Sequence, residues 1–142
     1  MRDVLIPLPG LDVVTLELNQ EVLDKGIASI DSLLAGKVNK GKMTQEDKEI
    51  IMGRIKGTTD YDYFSDCDLV IEAVFEDINI KKEVFKNLDN VCPKDSILAT
   101  NTSVLSVIDI ASVTSRPENV VGMHCFFPVP VMKLLELVKS LV

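Results

Sequence analysis

A single histidine, His124, stands in the apolar run 120–126, and a carboxylate, Glu136, stands twelve residues later inside the apolar run 131–142. Imidazole titrates near neutral pH and can take or give a proton. A carboxylate in apolar surroundings needs a partner, and an imidazole would serve. The plain alternatives are a hydrogen-bonded core histidine and a solvent-facing glutamate. Two more polar features follow apolar runs: Glu76 after residues 69–74, and Asn101-Thr102-Ser103 after residues 96–99. The Ser103 hydroxyl could hold a substrate oxygen, close a turn onto the next helix, or do both.

The elements that must position these groups follow from hydrophobic periodicity. Residues 12–18 (DVVTLEL) predict a buried strand, and Leu23, Ile27, Ile30 and Leu34 fall at helical spacing until the pattern is lost at 36–42 (GKVNKGK). Thr44, with Asp47 three residues on, opens a second helix whose apolar face is Ile50, Ile51 and Ile55. A polar stretch after Gly57 precedes 69–74 (LVIEAV), a run expected of a parallel strand covered on both faces. Residues 78–88 return to helical spacing up to Pro93. A short strand at 96–99, a helix at 104–111 and a strand at 120–126 come next. Residues 133–138 suit a strand or a helix, and periodicity does not choose between them. Strands alternating with helices predict an α/β fold with a doubly wound, mostly parallel sheet, ligands lying at the carboxyl ends of its strands.

Composition narrows the function classes. The 142 residues carry a formal charge of −7 with 5% aromatics, which argues against a general nucleic-acid binder. No apolar run approaches the ~18 residues of a membrane span, and Met1-Arg2-Asp3 followed by a patch broken at Pro7 does not read as a signal peptide. A cytoplasmic protein without membrane or nucleic-acid partners is expected. Cys67, Cys92 and Cys125 are odd in number and lack a CxxC, so buried reduced thiols are expected rather than disulfides or a metal site. The seven glycines form neither GxGxxG nor GxxxxGK[ST].

Residues 97–106 (ILATNTSVLS), Arg116-Pro117, 121–124 (VGMH) and 128–136 (PVPVMKLLE), together with 66–73 (DCDLVIEA) and the Glu76-to-Lys81 spacing, resemble the NAD-binding domain of 3-hydroxyacyl-CoA dehydrogenases from about residue 12 to the end. The resemblance implies an incomplete Rossmann-type fold over 12–142, with 1–11 a divergent N-terminal segment. It implies NAD-dependent oxidation of (S)-3-hydroxyacyl-CoA in fatty acid or butanoate metabolism. His124 would be the general base, Glu136 would fix its tautomer, and Ser103 would bind the substrate oxygen. On the NAD side it points to Glu17, Glu76, Lys81, Asn101 and Ser103, an acid at Glu17 favouring NAD over NADP. Lys81 on a helix is otherwise a solvated charge. For the CoA phosphates it points to Lys40, within the Lys37, Lys40, Lys42 group, which could equally be a soluble helix connection.

The sequence departs from the family pattern in two places. Phe127 stands three residues after His124, where the family has an amide or hydroxyl near the nicotinamide. Only eleven residues precede the strand at 12–18, where the family has a strand, a GxGxxG turn and a helix, so the sheet is expected to have a gap and residues 1–10 irregular structure or a non-native pairing. The family's helical domain, which lines the substrate pocket, is likewise not matched. An incomplete dehydrogenase chain, possible as a homo-oligomer or with a complementing chain, is the leading reading. A catalytically inactive structural or interaction protein using its open sheet edge is the alternative; a related hydroxyacid dehydrogenase is a third.

Overall fold

The computed structural model describes residues 10–126, 132 and 134–139. The chain divides into two compact units, Asp3–Asp60 and Tyr61–Val142. Two expectations fall outside the described residues: the irregular start at residues 1–9, and the side chain of Phe127.

In the first unit β1 (Val13–Leu16) pairs in parallel with β2 (Ile55–Thr58), Val13 opposite Ile55 and Leu16 opposite Thr58. Two helices connect them, α1 (Gln20–Asn39) and α2 (Gln45–Gly53). Asn19 caps α1 by accepting from the Val22 N–H, and Leu23, Ile30 and Leu34 are buried as their spacing predicts, while Ile27 is half-buried. The helix does not lose its way at Gly36. It runs on to Asn39 and closes where Gly41 (φ +65°) lets the Gly41 N–H reach Val38 O and the Lys42 N–H reach Lys37 O, both at 2.9 Å. The lysine group is therefore a helix C-terminus, where cations oppose the negative end of the helix dipole.

The Thr44 cap forms as predicted, a reciprocal box in which Thr44 Oγ1 accepts from the Asp47 N–H and the Asp47 carboxylate accepts from the Thr44 N–H. The apolar face expected of α2 does not. None of its residues is buried, Ile50 is 51% exposed, and Ile55 has left the helix for β2. An ion pair between Lys48 and Asp31, 2.8 Å, ties α2 to α1 instead. Strand β2 itself escaped the sequence reading, because IKGT has no alternation and a glycine at its centre.

The second unit holds a four-stranded sheet in the order β3 (Leu69–Glu72), β4 (Ile97–Thr100), β5 (Val120–Cys125), β6 (Leu135–Lys139), the first three parallel and β6 antiparallel. Within the stretch 133–138, where a strand and a helix were both open, the described residues from Leu135 on form a strand by pairing with β5. All residues of β6 are exposed, and Leu69 and Val74 are also more open than a strand covered on both faces would be. The core comprises Phe64, Val70, Leu98, Ile110 and Val120 with Phe85 and Leu88 of α3 (Ile78–Val91). Burying each such large side chain is worth ~1.5–3 kcal/mol. The helix expected at 104–111 is shorter, α4 (Val107–Ala111), with Ser106 as its cap. Of the three free cysteines only Cys92 is buried, and burial pushes its thiol up to about 11; Cys67 and Cys125 are half-buried.

Arg116 closes the end of α3. Its guanidinium is buried and donates to the carbonyls of Pro93 and Cys92, the latter at 3.2 Å, while Nε lies 3.0 Å from Asp89 Oδ1 as an ion pair without hydrogen-bond alignment. Burial alone would raise the Asp89 carboxyl, yet the Ser115 N–H and hydroxyl, with Lys94 and Arg116, hold it below the usual aspartate range.

Two glycines respond oppositely to alanine. A Cβ on Gly122 would lie 3.0 Å from Val138 Cβ and 3.1 Å from Val107 Cγ2, whereas one on Gly36 meets nothing within 4 Å in mid-helix. Gly122→Ala should cost ~1–3 kcal/mol through overpacking, and Gly36→Ala should gain ~0.5–1 kcal/mol through helix propensity. Urea unfolding midpoints moving in opposite directions would bear this out.

Candidate active site

His124 on β5 lies directly across from Glu136 on β6 in the antiparallel register, and its Nδ1 stands 3.4 Å from Glu136 Oε2. The histidine side chain is 23% exposed and the glutamate 59%, so the histidine is not a core residue and the pair stays in contact with water. With Nδ1 turned to the carboxylate, Nε2 is the ring nitrogen left for a substrate proton. The imidazole also packs on the Phe126 ring, centroids 4.5 Å apart. A cleft of about 380 Å³ opens beside the pair, lined by Ser103, Val104, Ile108, His124, Glu136 and Val138 among others.

The loop after β4 divides its labour residue by residue. Thr102 makes the turn: its hydroxyl accepts from the Leu105 N–H at 2.9 Å and donates to Glu76. Ser106 caps α4 by accepting from the Asp109 N–H. Ser103 is thereby released from both local roles; among the described residues its hydroxyl has no partner, and it faces the cleft that His124 also lines. The Asn101 side-chain carbonyl accepts from the Cys125 N–H at 2.8 Å.

Behind this loop lies a charged network that sequence reasoning missed. Lys81, which the resemblance put on the NAD side and whose plain alternative was a solvated charge, is 1% exposed, and its ammonium donates to Glu72 Oε1 at 2.7 Å; Glu72 is equally buried. The Glu72 carboxylate also accepts from the Val74 N–H at 2.6 Å and the Thr100 hydroxyl at 2.8 Å. Glu76, 40% exposed, lies 3.5 Å from the same ammonium. Burial acts to raise the Glu76 carboxyl, but the Thr102 hydroxyl, Lys81 and the Ser103 N–H together hold it below the ordinary glutamate range. The available signal was Glu72 itself, an acid inside the run LVIEAV that no apolar strand tolerates unpartnered.

Glu17 and Lys40 belong to the first unit. Glu17 is half-buried, directly after β1, with its N–H bonded to Thr58 O. Among the described residues nothing is bonded to its carboxylate, so it is open to sugar hydroxyls. Lys40 is exposed at the C-terminus of α1. An acid of this kind at a strand's carboxyl end fits the adenosine ribose of a dinucleotide. No glycine loop for a pyrophosphate accompanies it in the 142 residues.

The family described as "3-hydroxyacyl-CoA dehydrogenase, NAD binding domain" matches residues 4–141. A 3-hydroxybutyryl-CoA dehydrogenase of Clostridioides difficile is 50% identical over 131 residues, 92% of this chain and 47% of the relative. A peroxisomal fatty acid beta-oxidation multifunctional protein of Arabidopsis thaliana is 40% identical, over 94% of this chain and 18% of the relative. Among solved structures, an (S)-3-hydroxybutyryl-CoA dehydrogenase from Ralstonia eutropha aligns with TM-score 0.90 and 41% identity, over 93% of this chain and 47% of that one. The chain thus spans about half or less of the length of these relatives.

The network makes two stability predictions. Lys81→Met leaves the Glu72 charge buried without its counter-ion and should cost ~3–5 kcal/mol in urea unfolding; adding Glu72→Gln should recover most of that. Because the folded Glu76 value is depressed, its stabilisation is complete above the ordinary glutamate value of about 4.3 and is lost as pH falls through the lower folded value. Thr102→Val removes the leading cause of that depression, so the drop in urea midpoint between neutral and acid pH should be smaller than in the parent.

Proposed function

This chain belongs to the 3-hydroxyacyl-CoA dehydrogenase family, as its NAD-binding domain, and on that premise we propose that it carries the acid–base half of an NAD-dependent oxidation of (S)-3-hydroxyacyl-CoA to 3-oxoacyl-CoA. The observation that carries the proposal is the His124–Glu136 pair across β5 and β6, beside a cleft that Ser103 also lines. His124 Nε2 takes the proton of the substrate 3-hydroxyl. Glu136, accepting at Nδ1, keeps the lone pair on Nε2 and stabilises the imidazolium that results. Ser103 donates to the substrate oxygen, which gains carbonyl character as the proton leaves. NAD, when bound, supplies the acceptor for the hydride from C3.

Each remaining residue has a role consistent with its setting. Glu17 would accept from the adenosine ribose hydroxyls. Glu76 and Asn101 would line the NAD side of the loops after β3 and β4, and Lys81, being buried, would serve NAD through Glu76. Lys40 would meet CoA phosphates as an exposed cation, and Ser103 would touch both substrate and cofactor. Residues 12–142 would form part of one NAD-binding domain with 1–11 a divergent segment. Among the described residues no helix is long and apolar enough to cross a membrane, and we place the protein in the cytoplasm, acting on acyl-CoA alone, as a homo-oligomer or with a complementing chain.

One observation favours a second reading, an interaction protein without catalysis: β6 exposes Leu135, Leu137 and Val138 to 46%, 64% and 46%. Calorimetric NAD titration beside acetoacetyl-CoA-dependent NADH oxidation separates the two. We expect His124→Gln to lower turnover by about 10²–10⁴-fold with NAD affinity unchanged. Folded parent chain showing neither binding nor turnover would sink the enzymatic reading.

A further inference from the structure

We propose that Asn101 is the positioning residue that sets His124 against Ser103, an inference that rests on the roles just given to those two side chains. The parallel ladder between β4 and β5 runs from Leu98 opposite Val120 to Thr100 opposite Gly122, and there β4 ends. β5 continues for three residues, Met123, His124 and Cys125, beyond the last pair. On its other side these residues pair with β6, whose every residue is exposed. The segment bearing the histidine is therefore carried on one flank by a thin edge strand, and among the described residues the β4 ladder does not extend along its other flank.

Asn101 takes the place of that ladder. Its side-chain carbonyl accepts from the Cys125 N–H at 2.8 Å, and its own N–H donates to Glu72 O at 2.8 Å. It is thus fixed to the end of β3 by its backbone, to β4 by the chain and to β5 by its side chain. The bonded amide is one residue after His124, and Ser103 is two residues after Asn101. This side chain consequently bridges the strand end that presents the imidazole and the loop that presents the hydroxyl. Local turn chemistry does not need this carbonyl, since Thr102 and Ser106 satisfy the N–H groups of Leu105 and Asp109. An uncharged acceptor also suits a place beside a proton-transfer pair, because it competes with neither Glu136 nor the imidazole for charge.

The chain's only histidine gives a direct spectroscopic test on the full 142-residue protein. In the parent, the Cys125 amide should exchange with solvent as slowly as that of Val121, and imidazole nitrogen shifts should report a predominant Nδ1–H tautomer. Asn101→Leu, which keeps the bulk and removes the acceptor, should speed Cys125 exchange by about tenfold, the loss of one net hydrogen bond, and move the imidazole toward a tautomer mixture. Asn101→Asp, which restores an acceptor at the same reach, should keep the slow Cys125 exchange of the parent. Where turnover is measurable, the Leu variant should lose kcat. A folded Asn101→Leu with unchanged Cys125 exchange and tautomer balance would overturn the proposal. So would a parent whose Cys125 amide is unprotected, which decides the matter if the Leu variant does not fold. Parent chain without turnover but with the expected amide and tautomer changes would instead count against the catalytic reading and leave the positioning role standing.

Discussion

Two opposite charges, Glu72 and Lys81, are each 1% exposed and meet at 2.7 Å. Removing such ions from water costs several kcal/mol apiece, and their mutual attraction offsets this only where further hydrogen bonds complete both shells. Here the carboxylate has the Val74 N–H and the Thr100 hydroxyl, and the ammonium has Val74 O at 3.4 Å and Glu76. The result is geometric more than energetic. The end of β3, the end of β4, the first turns of α3 and the loop between them are fastened at one point, and the loop bearing Asn101, Thr102 and Ser103 inherits that fixity through Thr102 and Glu76.

Against this dry anchor the histidine–glutamate pair is wet. His124 and Glu136 face each other from the last part of β5 and the second residue of β6, and both reach solvent. That contrast fits the proposed division of labour, in which buried charges hold position and half-open groups would exchange protons. Ser103 stands at the junction, its N–H bound to Glu76 and the residue lining the cleft.

The parts of the fold that were legible in the sequence are those set by local physics. The periodicity of Phe85 and Leu88, the Thr44–Asp47 box and the β-branched run at 12–18, whose strand is the half-buried Val13–Leu16 rather than a buried one, each act within a few residues. What was hidden depends on partners far along the chain. β2 is a strand because β1 pairs with it, and β6 is a strand because β5 does. α1 passes Gly36 because no packing there opposes it and a left-handed Gly41 is available to stop it three residues later than composition suggested. The Lys81 ion pair spans nine residues from strand to helix, a distance no helical or strand period encodes. At the site, composition and spacing left His124 and Glu136 open to bland readings, and the family resemblance chose between them; the structure adds their adjacency and the release of Ser103 from turn duty.

The notch at Gly122 has a consequence for the histidine two residues on. β6 is open on both faces, so its own pattern says little about how it should align with β5. A slip of one residue would put Leu135 or Leu137 opposite the imidazole and turn every side chain of the strand to the other face; a slip of two would carry Glu136 past it. Val138 fits over Gly122 at a separation that a Cβ in that position of β5 would force wider. A missing methyl group thus works as a key for the strand, and the carboxylate arrives at the imidazole because a valine two places further along has found its slot.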